Sequence, residues 1–194
     1  MREETKNRGR RLVRPLVVAL ARLGIAPTAV TLTAIPLSIV TGVLFGVGRF
    51  LWAGVAVLIV GLGDTIDGEL SRFTGKASRT GAFIDSVVDR VSEALMLTGV
   101  MWYYQLRNSW FGLIAVLALV FSMMVSYVRA RAEGIGVECR LGFFERPVRI
   151  AILGVGAIFL GRTYFPIALG VVALGSLVTA LRRFSYVITS RRHS

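Results

Sequence analysis

Apolar and polar positions follow one another in long blocks along this chain, not in the alternation of half-buried strands. Runs of about 20 mostly apolar residues recur, long enough for the ~30 Å hydrocarbon layer of a bilayer, and short polar or glycine-containing breaks separate them. The blocks predict helical spans at about 29–47, 50–71, 81–104, 109–132, 147–161 and 164–186, the fifth of them short. Residues 1–15 are polar and basic, and Leu16 to Ile25 form a brief apolar piece broken by Arg22, which predicts an amphipathic helix lying at the membrane surface. A signal peptide is the competing reading because Ala19-Leu20-Ala21 mimics a cleavage site. The apolar run before it, Leu16-Val17-Val18, is too short for that. Gly24 and Pro27 break the piece, and Thr28 is placed to cap the next helix. The expected fold class is an all-α integral membrane protein, with six transmembrane helices plus an N-terminal juxtamembrane amphipathic helix. It reads as a single domain over 1–194, with 1–26 a cytoplasmic or interfacial arm and 27–190 the six-helix bundle.

Composition agrees: 55% of residues are apolar, 18% are charged and mean hydropathy is +0.69. The net charge of +12 would suit nucleic acid if the basic residues lined one soluble face. They sit between apolar runs instead, so anionic headgroups and phosphate-bearing substrates are the better partners and nucleic acid is not expected. Of the 23 Lys and Arg residues, 19 fall in the N-terminal arm, in the 72–79 link, between Arg129 and Arg149, and at the C-terminus. The opposite connections hold only Arg49, Arg107 and Arg162. By the positive-inside rule both termini face the cytoplasm. Cys139 is the only cysteine and His193, beside the C-terminus, the only histidine. An intrachain disulfide, a cysteine zinc cluster and a buried catalytic histidine are therefore excluded.

The chemistry concentrates at 64–89. Asp64 and Asp67 are three apart at the end of one predicted span; Asp85 and Asp89 are four apart at the start of the next. On helices each pair shares a face, about 5–6 Å between Cβ atoms. A short link makes the two helices antiparallel neighbours, so the pairs can meet at one depth on the cytoplasmic side. An ionised carboxylate at membrane depth costs about 2.5–3.5 kcal/mol even on the lenient insertion scale, so four together call for cations. An all-oxygen set suits Mg2+ or Mn2+, and two ions about 3.5–4 Å apart can clamp a phosphate under displacement. Gly68 and Gly81 leave room for close approach of a phosphate or nucleotide, and Arg72 is placed as a phosphate ligand. Helix capping accounts for Asp85 and Asp89 but not for Asp64 and Asp67, which lie at the end of a helix where the macrodipole disfavours anions.

Asp64-x-x-Asp67-Gly68-x-x-Ser71-Arg72, eight residues, then Gly81-x-x-x-Asp85-x-x-x-Asp89 resembles the signature of the CDP-alcohol phosphotransferases, D-x2-D-G-x2-A-R-x8-G-x3-D-x3-D. Ser71 stands where that family has alanine, a small change. The resemblance implies two metal ions held by Asp64, Asp67, Asp85 and Asp89. It implies that Asp64, Gly68, Arg72 and Gly81 hold the CDP part, and that Asp89 is the base acting on the acceptor hydroxyl. The lipid donor would be CDP-diacylglycerol or, in archaeal relatives, CDP-archaeol, with CMP released; a homodimer is also implied. Pro27, Thr28 and Thr31 lie where similar enzymes contribute to the nucleotide pocket.

The acceptor is less sharply marked. Ser126-Tyr-Val-Arg129-Ala-Arg131-Ala-Glu133 and Glu145-Arg146-Pro147-Val148-Arg149 resemble segments of prokaryotic phosphatidylinositol phosphate synthases, S-Y-V-K-A-R-A-E and E-R-P-E-R. By that likeness Arg129, Arg149, and Arg182 or Arg183 bind the phosphate of a phosphorylated polyol, inositol 1-phosphate. Glycerol 3-phosphate is the alternative acceptor, although the L-D-P-x-A-D-K run of enzymes using it is replaced here by Ile84-Asp85-Ser-Val-Val-Asp89-Arg90. An ion-coupled transporter is the rival from another class, opposed by the placing of the acids at one face and not at the midplane. Isoprenoid transfer would need a D-D-x-x-D run, and neither Gly61-Leu-Gly63 nor Gly75-Lys76 completes a phosphate-binding loop of the G-x4-G-K type. Trp102, Tyr103 and Tyr104 read as a far-side aromatic belt, and Glu93 as a partner of Arg90 or of a metal-bound water. The small residues of spans 1, 5 and 6 suit close helix packing or a dimer interface.

Overall fold

The computed structural model describes residues 13–107, 110–139 and 141–190, and it is helical throughout, with no strand among them. The basic residues of 1–12, Arg140, and the tail with Arg191, Arg192 and His193 lie outside the described residues. Helix α1 covers 13–22; then come α2 (Pro27–Gly46), α3 (Phe50–Phe73), α4 (Arg79–Gln105), α5 (Phe111–Gly134), α6 (Arg146–Phe159) and α7 (Gly161–Ser190). The long elements fall within a few residues of the spans read from the sequence.

Four of them, α2, α3, α5 and α7, are long and apolar enough to cross a bilayer by themselves. The other two fall short for different reasons. Helix α4 has 27 residues but carries Asp85, Asp89, Arg90 and Glu93 between its start and its middle turn, which lowers its hydropathy. Helix α6 has 14 residues, about 21 Å at 1.5 Å per residue, against ~30 Å of hydrocarbon. The outward faces are apolar: Ile39, Val43, Ile59, Leu113 and Leu174 are each about half exposed or more. Such faces suit lipid as their solvent, and the chain is a multi-pass membrane protein.

Helix α1 presents Val13 and Val17, four apart, to Leu70 of α3, with Leu20 and Ile66 beside them; Leu23 at its end is exposed. The core proper lies between α2, α3, α4, α5, α6 and α7. Helix α2 packs on α4, α3 on α6, and α5 on α7. Two of these crossings are made by glycine. A Cβ on Gly99 of α4 would overlap the backbone of Gly42 in α2, and one on Gly54 of α3 would come within 2.7 Å of the Gly154 carbonyl in α6. Small residues that let backbones approach are the usual glue between helices in lipid. Gly99→Ala is expected to force α2 and α4 apart and lose about 1–3 kcal/mol, as overpacking does. Thermal melting of the purified variant should fall by several degrees, and an unchanged midpoint would show that the crossing yields freely.

At the end of the bundle away from the acids, Phe45, Phe50, Tyr103 and Phe165 pack ring on ring with centroids 4.9–5.5 Å apart. The aromatic-belt reading therefore needs correction. Tyr103 and Tyr104 are buried in the core, Tyr104 donating its hydroxyl to the Arg162 carbonyl at 2.7 Å, and only Trp102 of the three faces outward. Ring packing and one satisfied hydroxyl place them inside, a choice that local sequence does not reveal.

Candidate active site

The α3–α4 link is tight because Gly75 takes a positive φ of +65° that a side chain would strain. Ser78 then caps α4, its Oγ accepting from the Gly81 amide at 3.0 Å. This turn sets the last turns of α3 against the first turns of α4, and so brings Asp64 and Asp67 level with Asp85 and Asp89.

Each carboxylate has its own surroundings. Asp67 is 6% exposed and accepts the Thr31 hydroxyl of α2 at 2.7 Å. Asp64 and Asp89 are drawn together by one nitrogen: Arg146 Nη1, from the first residue of α6, pairs with Asp64 and with Asp89, the latter at 2.9 Å. Asp85 keeps one buried carboxylate oxygen, Oδ1, with no hydrogen-bond partner. The charges repel one another across the cluster, Asp67 with Asp85 and both of these with Asp89. As the side chains stand, no three acidic, histidine or cysteine groups among the described residues converge on one point, because Thr31 and Arg146 hold three of the four carboxylates. The donor set nonetheless fits hard divalent cations. It is all oxygen, it has a buried carboxylate oxygen without a hydrogen-bond donor, and it has already drawn a guanidinium between two of its members.

Three cavities meet at this cluster. The first, about 310 Å³, lies between α4, α5, α6 and α7, and Asp89 is the only one of the four aspartates in its wall. Arg90, Arg129, Arg146, Arg149 and Arg183 line it too. The second, about 430 Å³, holds Gly68, Arg72 and Gly81 together with Pro27, Thr28 and Thr31, and reaches Asp67 and Asp85. A Cβ on Gly68 would meet only Arg72 Nη2 at 3.5 Å, so the space that glycine leaves belongs to the cavity and is not consumed by packing. Arg72 is 57% exposed and paired with Glu69 at 2.7 Å. The third cavity, about 520 Å³, is an apolar groove between α1, α2 and α3, walled by Leu20, Leu37, Ile59 and Leu62 and ending at Asp64 and Asp67. Asp64 thus faces the groove and Arg146, while Gly68, Arg72 and Gly81 share the second cavity.

The arginines named from sequence differ in freedom. Arg129 is half exposed and paired with Glu133 at 2.9 Å. Arg149 is 1% exposed and spends its guanidinium on Glu93, at 2.8 and 2.7 Å, and on the Phe144 carbonyl at 2.9 Å. Arg183 is buried and donates to the carbonyls of Leu141 at 2.6 Å and Val125 at 2.8 Å. Arg182 lies exposed on α7 and is not part of the cavity wall. Glu93 is committed to Arg149 and not to Arg90, which bonds the Ser86 carbonyl of its own helix. Sequence reasoning counted Arg146 only as loop charge; its place directly before Pro147 at a helix start was the available signal.

The model of the CDP-alcohol phosphatidyltransferase family matches residues 24–182. A phosphatidylinositol phosphate synthase of Mycobacteroides abscessus is 35% identical over 187 residues, covering 93% of this chain and 85% of that protein. One from Streptomyces avermitilis is 35% identical over 198 residues, covering 95% and 80%. Among solved structures, the Mycobacterium tuberculosis phosphatidylinositol phosphate synthase with CDP-DAG bound superposes with a TM-score of 0.82 at 29% identity, covering 91% of this chain and 94% of that one. The same enzyme in complex with manganese and citrate gives 0.81 at 29%, covering 90% and 88%.

Proposed function

This chain belongs to the CDP-alcohol phosphatidyltransferase family, and we propose that it is a phosphatidylinositol phosphate synthase. It transfers the phosphatidyl group of CDP-diacylglycerol, or the equivalent group of CDP-archaeol, to inositol 1-phosphate and releases CMP. The relatives' common activity supports this, and one observation carries the acceptor assignment. The cavity that Asp89 reaches has five arginines in its wall, a setting for a phosphorylated polyol and not for a neutral alcohol. The family membership leaves the transporter reading without support.

Asp64, Asp67, Asp85 and Asp89 would hold the Mg2+ or Mn2+ ions, which would supply positive charge to the diphosphate and to the oxygens exchanging at phosphorus. The remaining chemistry belongs to the chain. Gly68 and Gly81 admit the CDP phosphates to the second cavity, and Arg72 supplies a guanidinium there. The apolar groove beside Asp64 takes the lipid chains, so the diphosphate lies at the junction of the two spaces. Asp89 faces the acceptor cavity and takes the proton of the acceptor hydroxyl on a carboxylate oxygen. The oxygen so freed forms a bond to the lipid-bearing phosphorus, and the bond from that phosphorus to the CMP oxygen breaks.

In the membrane, α2 to α7 make six crossings of one domain, α1 lies in the interface, both termini and the acids face the cytoplasm, and two copies form a homodimer. The basic links and the apolar outer faces support this arrangement. The test of function is an acceptor screen in membranes following CMP release. Inositol 1-phosphate is expected to release CMP at least tenfold faster than glycerol 3-phosphate or free inositol. Preference for glycerol 3-phosphate would overturn the acceptor assignment, and movement of a solute without CMP release would overturn the reaction.

A further inference from the structure

Among the described residues Arg146 is the one basic side chain with an ion pair to the four aspartates, and it also forms part of the acceptor cavity wall. Only its Nη1 is engaged, by Asp64 and Asp89; its Nε and Nη2 are buried without acceptors. A guanidinium carries five N–H donors in a rigid fork, and leaving buried ones unmatched costs free energy that a phosphate in the adjacent space would recover. Two ligands thus contend for one side chain. The carboxylates hold it by one nitrogen, and the cavity offers room for the others. The neighbouring arginines have other anchors: Arg149 is bonded to Glu93, Arg90 to its own helix, and Arg183 to backbone carbonyls through Nε and Nη1, its Nη2 lying 3.8 Å from Glu145 without a hydrogen bond.

We infer that Arg146 is a movable counter-cation, which keeps Asp64 and Asp89 together until a divalent ion takes them and is thereby released to the acceptor's phosphate. This rests on the reading of the four aspartates as the metal site. Because one residue would have to leave the carboxylates before it could serve the acceptor, metal loading and acceptor capture become coupled, and the coupling is reciprocal. Arg146 is in these terms a positioning residue for the aspartates and a binding residue for the acceptor.

The test is Mn2+ binding to the purified full chain, followed by electron paramagnetic resonance, which needs no turnover. Removing an internal occupant lifts the population penalty on the ligand, so Arg146→Gln is expected to bind Mn2+ about tenfold more tightly than wild type. Arg146→Lys, which keeps the charge but not the reach to both carboxylates, is expected in between, and it carries the test if the glutamine variant does not fold. Arg90→Gln removes a charge that acts on Asp85 and Asp89 through space without an ion pair to either, and its gain in affinity should be smaller than that of Arg146→Gln. Inositol 1-phosphate should tighten Mn2+ binding in wild type and lose that effect in Arg146→Gln. Unchanged affinity in both Arg146 variants, an equal gain in Arg90→Gln, or persistent coupling without Arg146 would each overturn the inference. The metal reading is checked separately by Asp85→Asn, which should lose Mn2+; if wild type itself binds none, that reading fails and the inference with it.

Discussion

Asp89→Asn lowers turnover by about 10²–10⁴-fold, the range typical for loss of a general base, while CDP-lipid binding persists. The reason is positional. Asp67 and Asp85 border the space assigned to the nucleotide, and Asp64 borders the apolar groove. Asp89 alone among them borders the cavity on the acceptor side, where the proton must be taken. Asparagine keeps the size and one oxygen but cannot accept a proton, so the acceptor would have to attack as a neutral hydroxyl. Three measurements separate the roles: single-turnover CMP release, binding of the lipid donor, and Mn2+ binding. If turnover stays within tenfold of wild type, Asp89 is not the base. If Mn2+ and turnover fall together, its part is as a metal ligand.

The second large effect concerns the buried pair of Glu93 and Arg149, whose side chains are 2% and 1% exposed. From sequence, Arg149 is expected to bind the acceptor's phosphate, and its replacement would mainly raise KM. The geometry leads to a different expectation for stability. Removing one partner of a buried pair leaves the other charge uncompensated, which costs about 3–5 kcal/mol. Glu93→Gln and Arg149→Gln should each lower the melting temperature by roughly ten degrees, at about 2–4 °C per kcal/mol for a chain of this size. Replacing both together, Glu93→Leu with Arg149→Met, removes both charges and should recover most of that loss. Normal melting of Arg149→Gln with a raised KM for inositol 1-phosphate would show instead that its guanidinium is free to serve the acceptor.

Much of the site was legible in residue spacing because its parts lie close together in the chain. Three- and four-residue intervals put Asp64 with Asp67 and Asp85 with Asp89 on common faces, and one tight turn sets the two helices side by side. The basic segments at one set of helix ends were equally readable, since they need only counting. Glu93 shows where such reading stops. It follows Asp89 by four and so shares its face, but its partner is 56 residues away on another helix. Tyr103 is similar: an aromatic near a helix end reads as interfacial until neighbouring rings are seen to enclose it.

The helix blocks, the gathering of basic residues at one set of helix ends and the family's aspartate spacing were therefore determined by the sequence alone, because helical period and hydrophobic length act within a single segment. Which cation meets which acid was decided only by the tertiary structure. Arg146 reaches Asp64 and Asp89, Arg149 reaches Glu93, and Arg183 faces the cavity while Arg182 does not. Those choices depend on how closely and at what rotation whole helices cross at Gly42 with Gly99 and at Gly54 with Gly154, and backbone approach of that kind is a property of pairs of helices that neither one carries by itself.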